Sequence, residues 1–472
     1  MATLIEQHPL YNILPVGQDV IFTLSNSSVV STFTNVKFCA EVHISSGTPI
    51  NLSTTNDLVG TFKTTPNNAG VGMFDFRPVI ESFVNADNVA REGSKYKGTT
   101  NTSDSNVPIH LIDKYSGNLN TMRYFAIQFY VEYIDLAGDL QSANFANSDS
   151  YKIINGYLKH SDNLSLIGNN FGYDVDSVFK FFTNSNVRRF LTNAPKTQYA
   201  NIEDYGTLGM LTTNPSYFPF LINGTVGVEI KYYNSSGSFL NSEVIYHTSA
   251  NGAFSYPQSD IQSKSLFLGI YPANLQGDGT TMFAGFVSAG TIQGGYYDLT
   301  VIDQDGFVMS STYTINLNCP TLKGFEPVRL TWLNQWGAWD YYTFNMKSTK
   351  TISTKGSSYQ QLEGSWNDSA YRLDSFKGGK KAFRVNATEK IAMNTDYVSE
   401  SESEWFEDLI NSPEVYILEG FKTDAANSAL NKYVTPVRLT TSNYTKKTVA
   451  NDKLMQYTFE VEKSKTLRTQ SV

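Results

Sequence analysis

The chain has 472 residues and a mass of 52.6 kDa, room for about three domains at roughly 150 residues each. Charged residues make up 17% against an ordinary quarter or so, and Asp+Glu 44 against Lys+Arg 36 leaves a net charge of -8. That acidic balance gives no bulk electrostatic case for wrapping nucleic acid, and the ample apolar content (40%) argues against whole-chain disorder.

Taken in chain order, the dominant signal is a period of two. In residues 36–44, Val36, Phe38, Ala40, Val42 and Ile44 share one face and Lys37, Cys39, Glu41 and His43 the other, as in a strand with one buried side. Gly70-Val71-Gly72 lacks a third glycine and reads as a loop rather than a phosphate cradle. Residues 78–84 form a short helical candidate with Pro78 in the first turn, and 93–106 is a Gly/Ser/Thr/Asn-rich surface loop. Phe125, Ile127, Phe129, Val131 and Tyr133 alternate again and lead into Asp135-Leu136-Ala137-Gly138-Asp139, which places glycine where a hairpin wants positive φ. A helical pattern near 174–193 runs through Val178, Phe179, Phe182 and Phe190. Val226, Val228, Ile230 and Tyr232 lead to the turn Asn234-Ser235-Ser236-Gly237, and Tyr297, Leu299 and Val301 to Asp303-Gln304-Asp305-Gly306. Tyr313, Ile315, Leu317 and Cys319 resume the alternation. Pro327-Val328-Arg329-Leu330-Thr331 is echoed by Pro436-Val437-Arg438-Leu439-Thr440, too short an identity to establish a repeat.

The best helical stretch is 399–411: Ser401 and Glu404 have capping-box spacing, Trp405 with Leu409 and Phe406 with Ile410 share a face, and Ser412-Pro413 ends it. Met455, Tyr457, Phe459 and Val461 form a last alternating strand, followed by a basic, polar stretch. The fold class is therefore all-β and antiparallel, with a few short helices. Composition shifts place domains at 1–150, at 151–322 with a helical insertion near 174–193, and at 323–472 with one helix near 401–411.

Chemistry-bearing patterns are sparse. The histidines (His8, His43, His110, His160 and His247) are scattered, and Cys39 and His43 on one strand lie about 13 Å apart, too far to share a metal. Two cysteines are too few for a disulfide framework, and buried, reduced thiols are expected. Asp303-x-Asp305-Gly306 resembles the opening of a calcium loop but lacks its remaining ligands and reads as a hairpin turn. No metal or cofactor is expected. Residues 1–9 lack the basic and apolar regions of a secretory signal, and no apolar stretch is long enough to span a bilayer, so no membrane insertion is expected.

The least ordinary segment is 328–345, with Trp332, Trp336, Trp339 and Tyr341. With Trp366 these residues are candidates for a subunit interface, for a surface on which sugar rings stack, or for a core strand–turn–strand with Gly337 turning.

The run Trp332-Leu333-Asn334-x-x-Gly337-Ala338-Trp339-Asp340-Tyr341-Tyr342-Thr343-Phe344 resembles a module of tailed-bacteriophage structural proteins. The 406–416 and 451–461 stretches, and Asn193-Ala194-Pro195-Lys196 through Tyr205-Gly206-Thr207-Leu208, are similar to the same group, most firmly over 323–472. The resemblance implies β-sandwich (Ig-like) domains in series, assembly as a symmetric homo-oligomer with other virion tail proteins, no cofactor and no catalysis. The expected location is the virion tail (baseplate, tail tip or an adjoining ring), assembled in the host cytoplasm. A carbohydrate-binding receptor-recognition protein, with a host surface glycan as partner, is the alternative; it requires exposed rings such as Trp336 or Trp366. A polysaccharide depolymerase is a third reading and requires two facing carboxylates about 5–10 Å apart.

Overall fold

The computed structural model describes residues 3–9, 13–46, 49–53, 57–90, 108–112, 115–117, 120–159, 165–167, 170–172, 190–211, 225–246, 265–275, 295–303, 308, 310–317, 324–365, 369–419, 433–446, 455–465 and 467–468. The expected helix near 174–193 falls almost wholly outside them, as do His160, His247, Cys319 and Trp366. Contacts gather the chain into two units. The first holds Met1–Cys319 and Leu333–Asp340, and the second holds Pro320–Trp332, Tyr341–Lys422 and Ala429–Val472. Residues 1–319, drawn from the first two expected spans, fall in the first unit.

The protein is all-β, built of antiparallel sheets with a few short helices. In the first unit, one sheet runs Ile13–Pro15, Tyr151–Ile154, Met122–Ile134, Thr34–Ser45, Leu58–Thr64, and Leu140–Asn147 also pairs with Met122–Ile134. A three-stranded sheet of Leu4–Gln7, Ile21–Ser25 and Val71–Asp75 faces it. Between them lies an apolar core that includes Phe22, Leu24, Phe38, Phe74, Phe76, Phe125, Phe129 and Ile153. The alternating positions 36, 38, 40 and 42, and 125, 127, 129 and 131, all point into this core, as period two requires. The opposite face is not uniformly wet. His43, which the alternation places outward, is buried, and so is Cys39 on the same face, as expected of a reduced thiol; Cys39 sits between Lys63 and Tyr130 on the neighbouring strands.

A second large sheet in this unit runs Thr197–Ala200, Tyr313–Leu317, Tyr296–Asp303, Thr225–Tyr233, Phe239–Tyr246. Its order repeats that of the first: the earliest strand lies parallel to the last (Thr197–Ala200 on Tyr313–Leu317, as Ile13–Pro15 on Tyr151–Ile154), and every other pairing is antiparallel. Tyr232, Tyr297, Leu299 and Val301 fill its inner face. Thr207–Leu211, Ser265–Gly269 and Tyr115–Gly117 make a further three-stranded sheet.

The second unit is built on a sheet ordered Trp339–Phe344, Val328–Leu333, Val415–Leu418, Val434–Leu439, Thr458–Lys463, Gly379–Asn394, Ser348–Gln361. The two echoing Val-Arg-Leu segments flank Val415–Leu418 on either side. The helix Glu400–Asn411 lays Trp405, Phe406 and Leu409 into the core with Phe344, Met393 and Phe459. Its capping box is formed by Ser399 and Glu402, two residues before the expected Ser401–Glu404 pair. Both pairs have the spacing, but Ser399 has extended backbone, the geometry an N-cap needs, and Ser401 is already helical. At the other short site, Arg77–Ile80 is helical with Pro78 in the first turn and continues as a 3-10 turn over Glu81–Phe83.

Candidate functional site

The Trp-rich segment is organised by a five-residue turn. The Asn334 N–H donates to Ala338 O (2.8 Å) and the Gly337 N–H to Asn334 O (3.2 Å). The Asn334 Oδ1 accepts from the N–H groups of Trp336 (3.0 Å) and Ala338 (3.1 Å). Gly337 has φ 73°, and a Cβ there would lie 2.2 Å from Asn155 O, so both backbone conformation and space demand glycine. Three other turns share this hydrogen-bond scheme: 67–71, 135–139 and 234–238, headed by Asn67, Asp135 and Asn234, with Gly70, Gly138 and Gly237 at positive φ. The second and third match the turns expected from sequence, whereas residues 304–307 of the calcium-like stretch lie outside the described residues.

Within the first unit the 334–338 turn is entirely buried, and its polar groups are matched one by one. Asn334 Nδ2 donates to Leu191 O (2.8 Å) and to Asp340 Oδ1 (3.0 Å), which also accepts from Thr192 Oγ1 (2.6 Å). Trp336 Nε1 donates to Asn193 Oδ1 (3.0 Å), and Asn193 Nδ2 to Gln335 Oε1 (2.9 Å). Trp339 Nε1 donates to Asp87 O (2.9 Å), and its ring meets the His110 ring edge-on at 4.8 Å. The Asp87 carboxylate accepts from Asn120 N, Thr121 N and Thr121 Oγ1 at 2.6, 3.3 and 2.6 Å. Asp87 and Asp340 are thus buried carboxylates held by structural donors, Asp87 fixing the backbone at 120–121 and Asp340 Oδ1 joining the Asn334 and Thr192 side chains.

Trp332 and Tyr341 belong to the second unit. Trp332 is fully buried, its ring centroid 5.0 Å from Trp405 and 6.4 Å from Phe406. Tyr341 lies under the Arg329 guanidinium at 5.2 Å, and Arg329 Nη1 donates to Thr343 Oγ1 (2.7 Å). Next to it, burial raises the Tyr342 phenol, with Glu402 adding to the effect. The structure therefore divides the candidates between two cores. Trp332, Trp336, Trp339 and Tyr341 are all buried, and none presents a ring face on which a sugar could stack. Trp366 lies outside the described residues. Among the described residues, no three His, Cys, Asp or Glu side chains come together as a metal site, and no helix is long and apolar enough to cross a membrane.

Two exposed surfaces were not singled out by sequence. One is the hairpin Ser348–Gln361/Gly379–Asn394, 14 and 16 residues long, which ends in a short ladder joined by the Gly364–Leu373 bridge. Leu362, Tyr371, Leu373, Phe376 and Phe383 all project from that end into solvent. The other is the outer face of the Met122–Ile134/Leu140–Asn147 pair, where Leu136, Leu140 and Phe145 are exposed and Phe145 packs 5.4 Å from Tyr130. An isolated apolar residue in a polar run carries no periodic signal, so only its three-dimensional neighbours reveal such a patch.

No protein-family profile matches the chain, and no curated protein does. Among solved structures, a match is the native conformation of E. coli alpha-2-macroglobulin, at a TM-score of 0.19 and 8% identity. It covers 83% of this chain and 22% of that one, and a likeness of that size carries no argument about fold or function.

Proposed function

We propose that this chain is a structural component of a phage tail, in the baseplate, tail tip or an adjoining ring. It assembles as a symmetric homo-oligomer and holds neighbouring tail proteins, without catalysis and without nucleic acid as a partner. The observation that carries the reading is the distribution of aromatic and apolar side chains. The Trp-rich segment is locked inside, while large apolar residues stand exposed in clusters on sheet surfaces, a distribution suited to burial against other subunits. The motif resemblance over 323–472 supplies the tail context. The mechanism is mechanical: rigid β-domains hold position, and repeated weak contacts sum through effective concentration.

The test is the solution mass of the purified protein by light scattering, with polysaccharide binding and glycan release measured on the same sample. A trimer, hexamer or larger ring without glycan affinity is expected. A monomer that binds polysaccharide, or that releases soluble glycan from it, overturns the proposal in favour of a receptor-recognition protein or a depolymerase.

A further inference from the structure

The long hairpin of the second unit is unlike the sheet it grows from. Near its base, Lys390–Asn394 pairs with Thr458–Lys463, and Asn386–Ala387 with Leu467–Arg468. Beyond that, Gly379–Val385 pairs only with the partner strand of the hairpin among the described residues. Ser348–Gln361 is the last strand of the sheet, and nearly all of its side chains are exposed whichever face they occupy. A two-stranded ribbon without a core beneath it is marginal in water, and an open edge invites pairing. Yet its far end is defined in detail. Ser365 N donates to Arg372 O (2.9 Å), Asp374 N to Glu363 O (3.0 Å), and Lys381 Nζ to Phe376 O (2.7 Å). Gly364 lets the Tyr371 ring lie against the backbone, where a Cβ would be 2.4 Å from it. Among the described residues, Leu362, Tyr371, Leu373 and Phe376, each at least 67% exposed, are presented together at this end of the hairpin.

Charge says what the tip fits. The chain as a whole has Lys+Arg 36 against Asp+Glu 44, but residues 348–394 reverse the balance with eight Lys or Arg against four Asp or Glu. Toward the tip, residues 362–384 carry five Lys or Arg against three Asp or Glu. Exposed Arg372, Lys380 and Arg384 border the apolar residues, as does exposed Glu363, while Asp374 is ion-paired with Lys377 at 2.7 Å. The complementary surface is in the first unit. On the outer face of Met122–Ile134/Leu140–Asn147 stand Leu140 and Phe145, with Leu136 (88% exposed) in the turn that joins the strands. The charged residues of this face and turn are Glu41, Glu132, Asp135 and Asp139 against Lys37 and Lys63, of which Lys63 and Glu132 are paired at 2.6 Å. The Asp139 N–H and the Gln141 side chain hold the Asp135 carboxyl below the usual carboxylate range, so it stays ionised. Asp139 itself is exposed.

From this pairing of apolar-with-basic and apolar-with-acidic surfaces, and resting on the oligomer reading above, we infer that the tip of the Ser348–Gln361/Gly379–Asn394 hairpin docks on the outer face of the Met122–Ile134/Leu140–Asn147 pair of a second copy of the chain. The two surfaces differ, so the contact is heterologous, and a closed rotation gives a ring in which each copy both offers a tip and receives one. Tip against tip would instead bring like charges together. Ring closure engages every copy twice, so the contacts sum through effective concentration.

The experiment is charge reversal read by sedimentation velocity. Lys380→Glu/Arg384→Glu reverses the tip, and Leu136→Lys/Asp139→Lys reverses the receiving face without removing the Asp135 side chain that forms the turn. All four side chains are exposed, so unchanged circular dichroism and denaturation midpoints establish that the variants fold. The wild type is expected to sediment as an oligomer, each double variant at a smaller mass, and the chain with all four changes at the wild-type mass again. Oligomers unaffected by either reversal overturn the docking and leave the oligomer reading standing. A wild type that is monomeric at every concentration overturns both. A monomer that cosediments with phosphatidylglycerol vesicles, and loses that binding on tip reversal, assigns the tip to an anionic lipid surface instead.

Discussion

The turns at 135–139 and 334–338 are the same backbone object in opposite surroundings. In each, an Asx side chain accepts from the second and fourth N–H groups that follow it, its backbone N–H donates to the fifth residue of the turn, and a glycine at positive φ closes the bend. The first lies at the surface, with Leu136 88% exposed; in the second, even Asn334, Gln335 and Trp336 are buried. Water satisfies what the first turn leaves open, whereas the second needs a protein partner for each polar group, because an unmatched buried group costs about 1–3 kcal/mol. That requirement explains why Asn334, Asp340, Thr192, Asn193 and Asp87 are so closely bonded around it. The same local sequence grammar therefore makes a tolerant loop in one place and a specific core junction in the other.

The largest expected effect tests that difference at the glycines. A Cβ on Gly337 would lie 2.2 Å from Asn155 O and 2.9 Å from Thr121 Cγ2, whereas one on Gly138 meets nothing within 4 Å. Gly337→Ala is expected to destabilise the first unit by at least about 3 kcal/mol, combining left-handed backbone strain with a clash against main chain. Gly138→Ala carries only the strain, roughly 1 kcal/mol. Urea denaturation of the two variants measures the gap, and equal losses would show that burial of the second turn adds nothing.

The Asx residues sharpen the same contrast. Asn334→Ala removes two acceptor and two donor bonds from a buried site and leaves Asp340 without one of its donors. A loss of about 2–4 kcal/mol is expected. Asp135→Ala removes an exposed acceptor of comparable local geometry, and a loss of about 0.5–1 kcal/mol is expected because water replaces it. Denaturation midpoints of matched variants decide the matter.

How far the sequence carried the fold follows from these same elements. The strands with buried alternation (36–44, 125–131 and 297–301) were legible because period two is a local property. The turns at 135–139 and 234–238 were legible through their glycines. The matching strand order of the two large sheets of the first unit was not, since partners such as Ile13–Pro15 and Tyr151–Ile154 lie far apart in the chain. Nor were the surroundings of the tryptophans: Trp336 in the turn and Trp339 in the strand look the same in sequence whether their neighbours are Asn193 and Asp87 or solvent. The hairpin at 348–394 escaped because its Ser, Thr and Lys run has no apolar period at all. Exposure on both faces leaves nothing for alternation to mark.

The smallest expected effect lies on the sheet that carries the exposed turn. Cys39 and Tyr130 face each other across its two central strands, and both titrate high: burial, with Glu132 nearby, raises the Cys39 thiol from 9.0 to about 11, and burial followed by Cys39 itself raises the Tyr130 phenol to about 12. The folded state thus prefers the protonated thiol more strongly than the unfolded chain does. Its contribution to stability is complete below pH 9, where both states hold the proton. It is lost as pH rises from about 9 to about 11, where the unfolded state has released the proton and the folded state has not. Other buried tyrosines act in the same direction, so the melting temperature alone does not isolate the thiol. The difference between wild type and Cys39→Ala does: any packing loss offsets it by a constant, and the part that declines between pH 9 and 11 belongs to Cys39. A difference that stays flat across that window would mean the thiol titrates alike in both states. In a Cys319→Ser background, slow reaction of the native protein with a thiol reagent at pH 8, becoming fast on denaturation, is the companion result expected of a buried Cys39 thiol with a raised pKa.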